Sequence, residues 1–181
     1  TIPVWAVDRN GRVDFSRPVP ATTETEALAL LLTDHAPLVE FSLRAMAAGG
    51  LMDHVGGGFY RYSTDAHWSI PHFEKMLYDN AALLGLYAQV GAQRGLDDVQ
   101  AVACATAEWL ISDMQDARGG FHSSIDADAA GEEGSYYVWT RDEVQSLLGA
   151  DYAGFAEQYG LAGAANFEGR WHLRRPAPGS N

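Results

Sequence analysis

The sequence predicts a mainly α-helical protein built from antiparallel helical hairpins, with one or two short β elements. Three observations support this class. Apolar residues recur at helical spacing over several segments, glycines mark where those segments end, and the connections between them are short. Helices joined by short connections bury their apolar faces against one another, which predicts helix packed on helix.

The first twenty residues do not follow the helical pattern. Residues 2–7 are apolar and β-branched, residues 8–11 (DRNG) supply a turn, and a proline-rich run at 18–20 ends the segment. We therefore predict that residues 1–20 form an irregular arm or a hairpin.

Two helices are predicted next. Thr23 and Glu26 form a capping-box pattern that begins the first helix. Asp34 is a plausible N-cap for the second, with Pro37 in its first turn, where a missing amide hydrogen costs nothing. We expect the glycine pair at 49–50 to end the second helix by adopting the left-handed conformation.

The longest predicted helix spans residues 71–94, with Pro71 in its first turn and Gly95 after its end. Another helix begins at Asp97 and stops before the glycine pair at 119–120. These two helices share a short connection, so we expect them to form one antiparallel hairpin.

The segment that follows is different in composition. A loop rich in glycine and acidic residues leads to a predicted short strand at 136–139. Thr140 and Glu143 form a second capping box, which opens a helix that ends near Gly149. A shorter helix is predicted at 152–159.

Composition limits the classes of partner. The chain carries a formal charge of −12 with a pI of about 4.7, and phosphate binding needs a basic patch, so we predict neither a nucleic-acid nor a membrane partner. Cys104 is the single cysteine, which excludes an intrachain disulfide and favours a reducing, cytoplasmic compartment. We expect Cys104 itself to be a small buried hydrophobe.

Residues 49–80 (GGLMDHVGGGFYRYSTDAHWSIPHFEKMLYDN) combine a glycine run, aromatic residues and three histidines, and we predict that they form one wall of a pocket. The run at 56–58 predicts a loop where the backbone closely approaches another group. It is not a phosphate-binding loop, because no Lys-Ser or Lys-Thr pair follows it.

Candidate acid–base groups lie at the start of the predicted 71–94 helix. His72, Lys75 and Asp79 would share one face, and Glu74 would lie in the first turn. A neutral histidine or a carboxylate there could act as a general base. The alternative is a solvated polar face that carries a Lys75–Asp79 pair.

Candidate ligand-binding side chains are aromatic or cationic. Stacking faces with a few polar groups commonly hold sugars and other flat polar ligands, and the alternative is a hydrophobic cluster beneath a long loop. The candidates are Tyr60, Arg61, Trp68, Lys75 and Trp139.

The acidic loop contributes Asp126, Asp128, Glu132 and Glu133. Paired carboxylates can serve as acid and nucleophile or base in glycoside chemistry. A solvated acidic turn is the alternative, and the EF-hand spacing fails at two of its ligand positions. The histidines do not follow a metal-ligand spacing such as HExxH, so we predict no metal site and no cofactor.

Three ordered blocks resemble one known family. They are GGLMDHVGGGFYRYSTDAHWSIPHFEKMLYDNAALL, SSIDADAAGEEGSYYVWT and YGLAGAANFEG, within roughly residues 36–173. The family is that of large thioredoxin-domain proteins, which includes the sperm-associated thioredoxin-like protein and bacterial relatives. In it, a thioredoxin-like domain precedes an (α/α)6 toroid similar to the N-acylglucosamine 2-epimerase and six-hairpin glycosidase folds.

The resemblance implies that residues 21–181 are the N-terminal portion of such a toroid, truncated, and that the thioredoxin-like domain is absent from this chain. Redox activity of that domain is therefore not carried over. By resemblance to sites at one end of related toroids, the best catalytic candidates are His72, Glu74, Asp79, Asp126 and Asp128, with Lys75 as a ligand-binding candidate beside them. Fold analogy alone does not assign acid and base among them.

Two hypotheses follow. In the first, the chain is a carbohydrate-processing module, epimerase/isomerase-like or glycosidase-like, with His72 as general acid/base, Asp126 or Asp128 as its partner, and Tyr60, Trp68 and Trp139 as the ligand platform. It predicts that His72 and the Asp126 loop line one cleft. In the second, the chain is a non-catalytic ligand-binding or scaffolding module of a thioredoxin-domain protein.

Overall fold

The computed structural model describes residues 4–7, 13–19, 36–129 and 131–175. Strands β1 (Val4–Val7) and β2 (Val13–Val19) pair antiparallel, with a register shift between Trp5 and Ala6. The predicted turn at 8–11, the first predicted helix with its capping box, and the Asp34 cap lie outside the described residues.

Three helices form the main body of the described chain. They are α1 (Ala36–Ala48), α2 (Leu77–Arg94) and α3 (Asp97–Trp109), and a π-helical turn at Leu110–Met114 extends α3. Helices α2 and α3 pack against each other and are joined by Gly95 and Leu96. Gly95 is left-handed (φ 64°, ψ 40°) and its amide donates to Gly91, as the sequence predicted for this end of the helix.

The glycine pair after α1 has a different role from the predicted one. Neither Gly49 nor Gly50 has a positive φ. Instead, the backbone of the following loop crosses them closely, and a Cβ at Gly50 would lie 2.0 Å from the Ser69 carbonyl oxygen. The amide of Gly50 donates to the Trp68 carbonyl at 2.7 Å. The pair therefore allows close backbone packing and not a left-handed cap.

The prediction of a helix starting at Pro71 is wrong, because residues 71–76 are extended. Strand β4 (Pro71–His72) pairs with β3 (Tyr62–Ser63), and β5 (Lys75–Met76) pairs with β6 (Ser124–Ile125). The backbone groups of this segment thus bond to distant chain instead of to the next helical turn. Helix α2 begins only at Leu77.

Asn80 connects the loop that contains the glycine run at 56–58 to the start of α2 through hydrogen bonds. Its side chain accepts from the Phe59 amide at 2.6 Å and donates to the carbonyls of Phe59 and Met76, each at 2.9 Å. The residue is fully buried. The Asn80 side chain thus bonds both the amide and the carbonyl of Phe59, as a neighbouring β-strand would, and it fixes this part of the loop.

The C-terminal part matches its predicted helices. Thr140 and Glu143 form the capping box at the start of α4 (Arg141–Leu148). A 3-10 turn (Gly149–Asp151) leads into α5 (Tyr152–Gln158). The remaining strands are β7 (Asp128–Ala129), β8 (Glu132–Glu133), β9 (Val138–Trp139) and β10 (Trp171–His172), with β7 paired to β8 and β9 to β10.

Several hydrophobic clusters hold these elements. The largest lies between α1, α2 and α3 and includes Leu43, Tyr87 and Val99, and the Tyr87 hydroxyl donates to the Leu43 carbonyl at 2.7 Å. A second cluster joins Tyr60 and Phe73 to the C-terminal strands. The mainly α class is confirmed. The described residues hold five two-stranded pairs instead of the one or two β elements predicted.

Two further findings concern the helices. None of the described helices combines the length and apolar character that crossing a bilayer requires. Cys104 on α3 is exposed, so the prediction of a buried thiol is wrong. The buried face of α3 carries Val99, Ala103, Thr106 and Trp109, and Cys104 lies on the opposite side of the helix.

Candidate functional site

Residues 71–76 separate two groups of polar side chains by simple alternation. In extended backbone, successive side chains point to opposite faces. Phe73 and Lys75 are buried, whereas His72 and Glu74 are only partly buried. A helix over these residues would have placed His72 and Lys75 on one face, but the extended conformation puts them on opposite sides.

The outward side carries a histidine–carboxylate pair. His72 Nδ1 lies 2.6 Å from Glu133 Oε1, and the histidine side chain is 27% exposed. Its ring stacks on Tyr62 at 5.1 Å with an interplanar angle of 22°, and Tyr62 is itself exposed. Since a carboxylate can only accept, Nδ1 is the protonated nitrogen. In the neutral form of the ring, the lone pair is then on Nε2, the nitrogen that does not contact Glu133.

Glu74 and Arg61 lie beside this pair. Glu74 Oε2 is 3.9 Å from His72 Nε2 and accepts from the Arg61 guanidinium at 2.8 Å. Asp79 lies within the electrostatic reach of both residues. Burial raises the pKa of Asp79, which the Arg61 charge opposes. Among the described residues its Oδ2 has no hydrogen-bond partner.

The inward side is a buried cation in an aromatic cage. Lys75 is 2% exposed, and its Nζ donates to Asp53 Oδ2 and to the Gly57 carbonyl, each at 2.7 Å. Three ring centroids lie 5.0 Å from the same nitrogen, which is within cation–π range. The rings are those of Tyr60, Trp109 and Tyr137. The predicted Lys75–Asp79 pair is not formed.

Asp53 is the anchor of this cage. Its carboxylate also accepts from the amides of Val55 and Gly56, each at 2.9 Å. Desolvation opposes its ionisation, but the Lys75 charge and these hydrogen bonds outweigh it, so the pKa of Asp53 is lowered. Desolvation in turn lowers the pKa of Lys75 against the attraction of Asp53. The ionised Asp53 favours the ammonium form of its partner.

The glycine run lies against this cage, as the sequence predicted for a close backbone approach. A Cβ at Gly58 would lie 2.5 Å from the Trp109 ring, and one at Gly57 would lie 3.1 Å from the Trp109 Cβ. Both glycines have positive φ, 87° at Gly57 and 74° at Gly58. The two glycines let the loop pack closely on the Trp109 indole. The Gly57 carbonyl can then accept the hydrogen bond from Lys75.

His172 lies beside the aromatic cage and contacts Tyr60, one of its rings. Its Nε2 lies 2.7 Å from the Gly50 carbonyl, and its ring contacts Tyr60 and Phe73 edge to face. Burial lowers the pKa of His172 to about 4, so the ring is neutral at pH 7. Nδ1 is buried without a hydrogen-bond partner among the described residues.

The predicted ligand platform is not assembled at His72. Tyr60 is buried and faces Lys75. Trp68 packs on the α1–α3 cluster, and Trp139 packs with the C-terminal helices. The aromatic ring that does lie beside His72 is Tyr62, which was not among the predicted ligand residues.

The acidic loop does reach His72, through Glu133. Asp128 is the cross-strand partner of Glu133 in the β7–β8 pair. Asp126 Oδ1 accepts from the Asp128 amide at 3.1 Å, and both aspartates are exposed. Thus the predicted acidic residues border the site, while the direct contact with the imidazole comes from a neighbouring carboxylate.

Sequence reasoning missed Glu133 as the partner of His72 and Asp53 as the partner of Lys75. The pairs are separated by 61 and 22 residues, beyond any helical or strand period. One signal was available, because the order PHFEKM alternates apolar and polar residues up to Glu74. No group of three or more metal-ligating side chains is found in the described part of the chain.

Comparison with known proteins supports the family resemblance. The chain is similar to spermatogenesis-associated protein 20 of Homo sapiens, with 43% identity over 141 residues, and of Mus musculus, with 46% over 122. The Rattus norvegicus protein is 42% identical over 141 residues. These matches cover 69%, 64% and 69% of this chain but only 18%, 15% and 18% of the relatives. No family model matches the chain.

Proposed function

We propose, from the resemblance of its three sequence blocks to the large thioredoxin-domain proteins, that this chain is part of an (α/α)6 toroid. Its site would transfer protons to and from a carbohydrate or similar polyol, as an epimerase or isomerase does. The observation that carries the proposal is the partly exposed His72 ring, hydrogen-bonded through Nδ1 to Glu133 and stacked on Tyr62. A small-molecule sugar is the proposed ligand, and a thioredoxin-like domain the proposed neighbour in the longer protein.

In this mechanism His72 Nε2 is the general base that takes a proton from the substrate and later returns it. Glu133 fixes the tautomer and stabilises the imidazolium that forms, as a carboxylate does for catalytic histidines. Glu74, 3.9 Å from Nε2, is placed to relay the proton or to hold a substrate hydroxyl. Tyr62 supplies the stacking face for the sugar ring.

The carboxylates favour proton transfer over glycoside hydrolysis. A glycosidase needs two carboxyl groups that face each other across the scissile bond. The two nearest His72 are already engaged, Glu74 by Arg61 and Glu133 by His72. Asp126 and Asp128 would then border the substrate entrance without acting on the reacting bond.

A non-catalytic binding or scaffolding module is the second candidate. Its support is that the polar groups of this region are already paired: Arg61 with Glu74, His72 with Glu133, and Lys75 with Asp53. Such a face can hold a ligand without reacting with it. The single cysteine supports a cytoplasmic location for either function.

Deuterium exchange tests the proton transfer directly. The full-length protein would be incubated in D2O with a panel of neutral sugars, amino sugars and sugar phosphates, and carbon-bound deuterium would be measured by NMR and mass spectrometry. An epimerase or isomerase incorporates deuterium even at equilibrium. We expect His72→Gln to lower incorporation by about 10²–10⁴-fold, the usual contribution of a general acid–base group.

His67→Gln is the matched control, since His67 is exposed in the neighbouring turn. It should leave incorporation unchanged. Incorporation that survives His72→Gln would eliminate His72 as the base. Sugar binding without any deuterium incorporation would favour the non-catalytic module.

A further inference from the structure

We propose that the contact between Phe73 and Gly134 positions the His72–Glu133 pair, which makes Gly134 a positioning residue for the acid–base group. The inference rests on the proposed function of His72 for its meaning. Its evidence is a separate contact between the residues that directly follow each member of the pair.

The first observation is steric. A Cβ at Gly134 would lie 2.5 Å from Phe73 Cε2 and 2.6 Å from Cδ2, so the backbone of Gly134 lies directly on the ring. Gly134 also has a φ of 72°, where L side chains are strained. Position 134 therefore requires glycine for two reasons. The close contact is the one that joins the residue after Glu133 to the residue after His72.

The second observation is that neither partner can shift easily. Phe73 is fully buried, stacks parallel to Tyr137 at 5.8 Å, and meets Tyr60 edge to face at 5.4 Å. The Gly134 amide donates to the Ala127 carbonyl at 2.9 Å, and its carbonyl accepts from Tyr137 at 2.8 Å. Both sides of the contact are thus anchored in the interior.

The third observation concerns the carboxylate itself. Glu133 Oε1 accepts from His72 Nδ1 at 2.6 Å and lies 3.4 Å from the Phe73 amide. Otherwise Glu133 is exposed, on the two-residue strand β8. A partly exposed side-chain pair alone is weakly held, because ordering both side chains costs rotamer entropy. The Phe73–Gly134 contact limits that freedom by fixing the backbone on both sides of the pair.

Nitrogen NMR of the histidine rings tests this inference without any turnover assay. In the protein labelled with 15N-histidine, we expect His72 to show the Nδ1-protonated tautomer with a slowly exchanging Nδ1 proton, assigned by its disappearance in His72→Gln. In Gly134→Ala we expect loss of that proton signal and a mixture of tautomers. A change confined to stability would leave the tautomer of the folded fraction unaltered.

Gly131→Ala is the matched control, since Gly131 lies in the same loop with a φ of 84° and nothing within 4 Å of its Cβ position. It carries the same backbone strain without the clash, so the His72 signals should stay. Retention of these signals in Gly134→Ala, or their equal loss in Gly131→Ala, overturns the proposal.

Phe73→Leu is the second variant, because it removes the ring contact without a clash. If the ring signals of the buried His172 and the partly buried His54 show that Gly134→Ala is unfolded, the His72 signals are read in Phe73→Leu instead. Their loss in folded Phe73→Leu supports the proposal, and their retention overturns it. The proposed function fails separately, when an intact His72 signature accompanies no deuterium exchange with any sugar.

Discussion

Replacing Lys75 with methionine should destabilise the protein strongly, although the shapes of the two side chains are similar. The change removes the cation from Asp53, whose side chain is only 11% exposed. Breaking a buried pair by deleting one partner typically costs about 3–5 kcal/mol, because the remaining charge is left without compensation. Two amide donors still bind Asp53, so we expect the lower half of that range.

A surface ion pair of identical length provides the control. Arg44 Nε lies 2.7 Å from Asp98 Oδ2, the same separation as in the buried pair, but the two side chains are 44% and 59% exposed. Arg44→Met should cost about 0–1 kcal/mol, since solvent screens the charges. The difference between the two variants therefore measures burial and not distance.

Urea unfolding at pH 7 provides the assay, with midpoints and slopes compared between variants. The double variant Asp53→Asn/Lys75→Met should be more stable than Lys75→Met alone, because the stranded carboxylate is gone. A cost for Lys75→Met no larger than that for Arg44→Met would refute the reasoning, as would a double variant that is less stable than the single one.

Two further outcomes are expected. Burial lowers the pKa of His172 from its usual 6.5 to about 4. Between these pH values the unfolded chain binds more protons than the folded one, so the free energy of unfolding should fall by about 3 kcal/mol as the pH drops from 6.5 to 4. Urea unfolding across that pH range should show this loss in the unchanged protein and little of it in His172→Gln. Gly58→Ala should lower the free energy of unfolding clearly more than Gly95→Ala, because both residues have positive φ but only the Cβ at position 58 would meet the Trp109 ring, at 2.5 Å. Gly95→Ala should lower it by about 1–2 kcal/mol from backbone strain alone. Equal losses of stability in thermal unfolding would contradict the close packing of the glycine run on Trp109.

Local signals predicted three helix boundaries correctly. The capping box at Thr140, the left-handed Gly95 and the start of α3 at Asp97 all occur where the sequence places them. Each depends on hydrogen bonds within one turn of the chain, so a few neighbouring residues contain the necessary information. Gly50 shows the limit, because its small size serves a contact with Ser69 that no local pattern reveals.

The sequence named several residues that lie together in the structure, but it did not predict how they pair. His72 and Glu74 do lie together, and the acidic loop does border them. The predicted helix nevertheless placed Lys75 beside His72, whereas the structure buries Lys75 on the other side. A lysine is normally exposed, and its burial here is tolerated because the Asp53 carboxylate, the Gly57 carbonyl and three aromatic rings surround its ammonium group.

By itself, the sequence determined the helical class, three of the helix boundaries, the acidic net charge and the stretch of chain that holds the candidate residues. Only the tertiary structure decided that residues 71–76 are extended, and with that which side chains meet. The physical reason is that this segment satisfies its backbone through β3 and β6. It places Lys75 against Asp53 and His72 against Glu133, across 22 and 61 residues of intervening chain.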